Sequence, residues 1–329
     1  TLSLAPLLTD IWNITSVNYD RYQGDSFVLE AFEDYYGGAP AIKNVTFKVI
    51  ADAASMSIGL QAGQIDFAEV DASVLSTLQS AANVEITTAE QTAFYFIAMN
   101  TEKEPYSNVK FRQAINYAID REALVTAVLE GEGEVNSNLL TPDREGYSDT
   151  QKQYTYDPDQ AKALLAECGY ADGYDLGTFI VAESYKLLAQ VIQSDLAKVG
   201  LTCTLEILEF NAYLDKLMDG NFGMTCLNMA LQGDTQQLSL ALTKDYIGMA
   251  NNARWSDPKV EELFQKAVAT VDETEREAVY NELFSYVQEQ AVYCVLCNPT
   301  LLFAHKTGLE TGTIALEGVY YLQNFQWNA

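Results

Sequence analysis

The chain has little of what most catalytic or nucleic-acid-binding chemistry needs. It contains one histidine, His305, so His-rich zinc sites and His-based triads have almost no material. It has 19 Lys+Arg against 46 Asp+Glu, a net charge of -27. Such a balance argues against phosphate-backbone partners, which require a basic face. No apolar run approaches the roughly 20 residues that span a bilayer. Nothing at the start reads as a signal peptide, so an exported form would carry its targeting segment upstream or have lost it. The five cysteines, Cys168, Cys203, Cys226, Cys294 and Cys297, are odd in number and scattered, which is poor material for a disulfide framework. Cys294 and Cys297 form a CxxC inside AVYCVLC, which reads as a buried strand. Residues three apart on a regular strand point to opposite faces, so a shared metal is not expected.

What remains is an ordinary globular composition, 48% hydrophobic and 20% charged, over 329 residues. That length suits two lobes better than one core. The most informative stretch is residues 100–131, NTEKEPYSNVKFRQAINYAIDREALVTAVLEG. Ser107 and Asn108 can cap a helix, because their side-chain oxygens accept orphan amides of a first turn. Val109, Ala114, Ile115, Ala118 and Ile119 share a face at helical spacing. Asp120 reads as a second cap with Glu122 in the next turn, where an acid suits the helix dipole. Leu124, Val125, Val128 and Leu129 form the buried face of that second helix, and Gly131 is its expected stop.

Before this stretch, residues 26–36, 44–50 and 65–70 read as strands and residues 55–62 as a helix ended by Gly63, with a Gly-Gly-Ala-Pro break at 37–40. Residues 94–100 are the strand that enters the stretch. After it, residues 139–147 form a loop, and Asp157-Pro158 opens a helix with cap and first-position proline. Ala161, Leu164, Leu165 and Cys168 face inward and Gly169 ends that helix. A strand at 178–182, a helix at 187–199, and a strand at 201–208 imply a parallel crossover. Residues 213–219 read as helix, 222–229 as strand, 230–237 as a polar loop, 260–268 and 273–290 as helices, 291–296 as strand, and 300–329 as mostly strand and turn.

Three words in this order carry a resemblance. They are Glu33-Asp34-Tyr35-Tyr36-Gly37-Gly38-Ala39-Pro40 followed by Gly63-Gln64-Ile65-Asp66, then VKFRQAINYAIDREALV at 109–125, then the Tyr-Asp-Pro-x-x-Ala-x-x-Leu-Leu run from Tyr156 to Gly169. Together they resemble the family 5 extracellular solute-binding proteins, the dipeptide, oligopeptide and nickel-chelate receptors of ABC importers. The resemblance covers about residues 24–329 and only the later part of the family fold. It implies a periplasmic-binding-protein-like α/β fold of two lobes, type II and cluster C-like, with the N-terminal segment and extra domain missing. Residues 1–93 with 305–329 would form an incomplete first lobe, and residues 94–304 a second.

The resemblance further implies capture of a peptide or other small solute between lobes and delivery to permease subunits, without turnover, metal or cofactor. It implies a monomer outside the cytoplasm, tied to a membrane, if at all, by a lipid anchor upstream. Peptide binders of the family carry a Gly-Trp-x-Gly-Asp-like word after the strand at 222–229. Here Asn228 stands at the Trp position and Leu231 at the amine-binding Asp position, beside Gln232, with Asp234 following. Leu231 cannot pair with a buried ammonium. Either Asp234 takes that role or the ligand lacks a free amino terminus. Tyr95 and Tyr185, at predicted strand ends, offer broad apolar contact plus one hydrogen bond each. Two other readings stay open: a ligand-sensing module without transport, and an acidic glycoside hydrolase needing two carboxylates at a set separation.

Overall fold

The computed structural model describes residues 12–18 (backbone only), 26–32, 38–50, 52–89, 93–231, 234–314 and 320–328. The tyrosine-rich part of the word at 33–37 and the opening residues 1–11 lie outside them. The chain divides into two compact units, Thr1–Gln91 with Thr300–Ala329, and Thr92–Pro299.

In the second unit a six-stranded mixed sheet runs in the order Gly133–Val135, Tyr293–Pro299, Ala93–Met99, Met224–Ala230, Tyr174–Ala182, Leu201–Leu208. Tyr174–Ala182 is parallel to both of its neighbours; the other pairings are antiparallel. The strand Ala93–Met99 is a continuous apolar run because it is covered on both sides. Ile97 and Met99 enter a core with the helices Val109–Ala118, Arg121–Leu129, Pro158–Glu167 and Lys186–Lys198. Phe94, Phe96 and Ala98 enter the opposite core, with Pro258–Ala269 and Glu273–Gln290. The helix Phe210–Met218 covers that second face further along, packing Tyr213 and Leu217 on Ile180 and Ala182.

The central helix pair forms for the expected reasons, with two differences. Asn108 accepts from the Lys110 amide at 2.9 Å, whereas the Ser107 hydroxyl donates to Glu104 at 2.6 Å and caps nothing. Asp120 accepts from the Ala123 amide at 3.0 Å. The left-handed turn that closes the second helix falls first on Glu130 (φ 51°) and then on Gly131 (φ 91°). The larger difference is polar. Arg112, Asn116 and Arg121 are buried on the inner faces of these helices. Arg112 donates to the Gln290, Tyr106 and Ser107 carbonyls, and burial lowers its pKa to about 10. Arg121 donates to the carbonyls of Val295 (2.7 Å), Asn116 (3.0 Å) and Tyr154 (3.1 Å), and to Asn116 Oδ1 and Cys294 Sγ. The pair of helices is thus pinned to the strand Tyr293–Pro299 by guanidinium groups as well as by packing.

That strand also overturns the expected facing of its two thiols. The register slips between Val295 and Cys297, a bulge that inserts one residue opposite Tyr95 and Phe96. Cys294 and Cys297 therefore enter the same core instead of opposite ones. Burial pushes the Cys294 thiol up to about 11 and the Cys297 thiol up to about 12, with Arg121 pulling partly back. A thiol whose folded pKa lies above its unfolded value stabilises the fold fully below the unfolded pKa. That contribution is lost as pH rises through the folded pKa. Urea unfolding should therefore show stability falling from about pH 9 toward 12, by up to about 1.4 kcal/mol per pH unit for each thiol. The Cys294→Ala/Cys297→Ala double variant should show a shallower fall; parallel pH profiles would contradict the assignment.

The first unit holds two three-stranded antiparallel sheets, ordered Trp12–Asn18, Ser26–Ala31, Asn44–Lys48 and Phe67–Glu69, Leu301–Lys306, Val84–Ala89. The helix Ala53–Gln61, capped by Asp52, packs Leu60 with Leu78 and Leu302. Gly63 (φ 67°) closes it in the left-handed region expected of it. The single histidine is consumed by structure here: His305 is buried, with Nε2 3.0 Å from Thr87 Oγ1.

Candidate functional site

In open α/β sheets, ligands bind outside the carboxyl ends of the parallel strands, where side chains after each strand converge. In the second unit those strands end at Ala182, Leu208 and Ala230. The antiparallel strand Ala93–Met99 starts at the same edge, and Tyr293–Pro299 finishes there. The chain passes to the other unit just before the first of these two strands and just after the second.

Three of the six candidate residues meet at this edge. Asn228 and Tyr95 are register partners on adjacent strands, so their side chains rise from the same face. Tyr185 ends the short 3-10 turn Glu183–Tyr185 that follows Tyr174–Ala182. Its hydroxyl donates to Asn228 Oδ1 at 2.7 Å, and its ring meets Tyr95 edge-on at 6.1 Å between centroids. Burial raises the Tyr185 pKa, and Asn228 pulls partly back. The phenol is thus held neutral and aimed. Asn228 is exposed, and no described residue accepts from its Nδ2. The group presents two aromatic surfaces, a phenol oxygen and an amide donor pair.

Leu231 and Asp234 lie apart from it. Leu231 is 3% exposed and packs into the core of Phe94 and Phe96. Its side chain fills interior, and its carbonyl accepts from Arg144 Nη2 at 3.2 Å. Gln232 lies outside the described residues. Asp234 is exposed at the start of the 3-10 helix Thr235–Leu238 and makes no side-chain cap bond. Its charge is felt at Tyr280, whose phenol is pushed up to about 12 by burial first and by Asp234 next. Among the described residues no hydrogen bond joins Asp234 to Tyr185 or Asn228.

The segment after Asn228 is also shaped by residues that sequence reasoning left as a plain loop. Thr235 donates to the Glu145 carbonyl at 2.8 Å, and Tyr280 to Gln236 at 2.9 Å. Gly146 (φ 89°) lets the loop at 141–147 approach: a Cβ there would sit 2.5 Å from Tyr280 Cβ. Arg276 pairs with Glu145 at 2.9 Å, closing the set. No local pattern announces these contacts, since their hydrogen bonds join positions 44 to 131 apart in sequence.

Comparison with known proteins gives three results. Residues 6–244 match the family model for bacterial extracellular solute-binding proteins, family 5. The chain is 30% identical over 319 residues to the heme-binding protein A of Haemophilus influenzae, covering 94% of this chain and 56% of that one. It is 29% identical over 301 residues to the dipeptide-binding protein of Escherichia coli, covering 88% and 55%. The solved oligopeptide-binding protein of Bacillus subtilis, in complex with a nonapeptide, superposes with a TM-score of 0.82 at 26% identity, over 97% of this chain and 66% of that one. The chain thus spans about half the length of the curated relatives it matches. The expected periplasmic-binding-protein-like α/β fold is the observed one. No helix among the described residues is long and apolar enough to cross a membrane.

Proposed function

Because the chain belongs to the bacterial extracellular solute-binding proteins of family 5, we propose that it is the substrate-binding part of an ABC importer and that its solute is a peptide. It binds without turnover, as a monomer outside the cytoplasm, in the periplasm or at the outer face of the cytoplasmic membrane, and delivers the solute to permease subunits. The observation that carries the peptide reading is the Tyr95–Tyr185–Asn228 group at the carboxyl edge. Tyrosines give broad contact to varied side chains, while an amide donor suits the carbonyls that every peptide repeats. The relatives named for dipeptides and the solved complex with a nonapeptide support the same class of solute.

The edge also narrows how a peptide would be read. Among the described residues Asp195 is the one buried acid; it serves Lys198 and the Asp120 amide and has no hydrogen bond to this group among the described residues. Asp234, being exposed, could offer an ammonium only a screened pairing of about 1 kcal/mol or less. Peptides with free and acetylated amino termini should therefore bind this chain with similar affinity. Calorimetric titration with di- to octapeptides, against single amino acids and sugars, tests the reading. A peptide at a hundredfold over its Kd should add about 2.7 kcal/mol of stability. Binding of sugars or amino acids in preference to every peptide would refute it.

A further inference from the structure

The second unit carries a cavity that the edge group does not use. It lies beside the strand Gly133–Val135 and the segment at 153–156, with a volume of about 710 Å³. That lies within the roughly 300–1,000 Å³ of small-ligand sites. Its walls are fixed by side chains that bond one another: Asn136 Nδ2 to Asn298 Oδ1 at 2.8 Å, and Asn138 Nδ2 to Gln151 Oε1 at 2.7 Å. Asn298 in turn donates to the Ala93 carbonyl at 2.9 Å, which ties the cavity wall to the start of the strand bearing Tyr95. Buried Tyr154 and Leu140 supply apolar lining.

The cavity is in line with the edge group. Asn228 pairs with Tyr95, Tyr95 with Cys297, and Cys297 with Val135, which sets the two three strands apart; Cys297 itself is buried under the helices, so a peptide joining them would pass along the strand ends. Three strand spacings of about 4.8 Å make about 14 Å. An extended peptide covers this in about four residues at about 3.3–3.6 Å each.

Its charge selects the occupant. Arg121 is the single cation among the lining residues, and its donors are spent on carbonyls, Asn116 Oδ1 and a thiol. At the adjoining helix start the Ala123 amide is taken by Asp120 Oδ1. Asp120, Glu122 and Glu134 are also among the cavity's lining residues, and both glutamates are exposed. We propose that this cavity is a distal subsite that takes an ammonium- or guanidinium-bearing chain, such as the basic side chain of a peptide about four residues beyond the one at Asn228. The inference rests on the peptide-binding reading and extends it to a preference for basic peptides.

Two pentapeptide pairs test it by calorimetry: a run of four alanines followed by lysine or norleucine, and the same run preceded by lysine or norleucine. In one register the lysine peptide should bind about two- to fivefold more tightly than its norleucine partner. In the Glu122→Gln/Glu134→Gln variant that ratio should fall toward one, with norleucine affinity unchanged. A ratio near one in both registers, or a ratio that survives in the variant, overturns the subsite. Pentane-1,5-diamine, which needs only the cavity, separates the two readings. If neither peptide binds, the peptide reading fails. Diamine binding lost in the variant would then still support the cavity, and absence of diamine binding would overturn it.

Discussion

Arg121→Ala should lower unfolding free energy by about 3–5 kcal/mol, the cost of breaking a buried charged hydrogen-bond set. Domains commonly have only about 5–15 kcal/mol in total, so the variant should be recovered in much lower yield unless it is grown cold. Arg121 is 4% exposed and ties two helix termini to the strand Tyr293–Pro299 through the Val295, Asn116 and Tyr154 carbonyls. Its removal leaves three acceptors dry and a void beside Cys294. Arg121→Lys should recover only part of the loss, because one ammonium cannot reproduce the planar fork of donors. Urea unfolding curves decide the matter: a loss below about 1 kcal/mol for the alanine variant would show that packing alone holds the helix pair.

Asn228→Asp should weaken peptide binding by at least about thirtyfold, or about 2 kcal/mol. The amide accepts from Tyr185 through Oδ1 and, on the proposed reading, offers Nδ2 to a ligand carbonyl. Aspartate still accepts from the phenol but turns a carboxylate toward the ligand acceptor, so attraction becomes repulsion. Asn228→Ala merely removes one donor and should cost about 0.5–1.5 kcal/mol. Because Asn228 is exposed, neither change should move fold stability by more than about 0.5 kcal/mol. Titration calorimetry on the three proteins checks the order. Equal affinities for the aspartate and alanine variants would mean that the ligand presents no acceptor there.

Local chemistry made much of the second unit legible. Asp120 and Asp157 each cap a helix as their spacing suggests, and Leu201–Leu208 and Glu273–Gln290 begin and end where the pattern does. The strand–helix–strand order around Lys186–Lys198 gives the parallel pair it implies. Edges were less legible. The strand expected at 178–182 begins at Tyr174, because the segment after Gly173 pairs with Leu201 and Thr202 far along the chain. Buried Arg112 and Arg121 sit in a helical pattern where charges ordinarily face solvent, and their partners lie up to 178 positions away. The bulge that brings Cys294 and Cys297 to one face is a property of the pairing with Ala93–Met99, which neither strand states alone.

The same limit applies to the candidate site. Tyr95, Tyr185 and Asn228 stand out in sequence only as polar aromatics and an amide near strand ends. Sheet register places them together. Leu231 and Asp234 fall in one polar loop in sequence, but the first is drawn into the core with Phe94 and the second is left in solvent. The cavity beside Gly133–Val135 has no motif, since its walls come from the start of one helix, two loops and a strand end.

The central claim is that peptide binds at the carboxyl edge of the second unit. Amide hydrogen exchange on this chain, with and without a saturating peptide, tests it most directly. The account predicts slowed exchange at the start of Ala93–Met99, across 183–188 and at the end of Met224–Ala230, with the helix Glu273–Gln290 unchanged. Protection confined to other segments, with these three unaffected by a peptide that demonstrably binds, would contradict it.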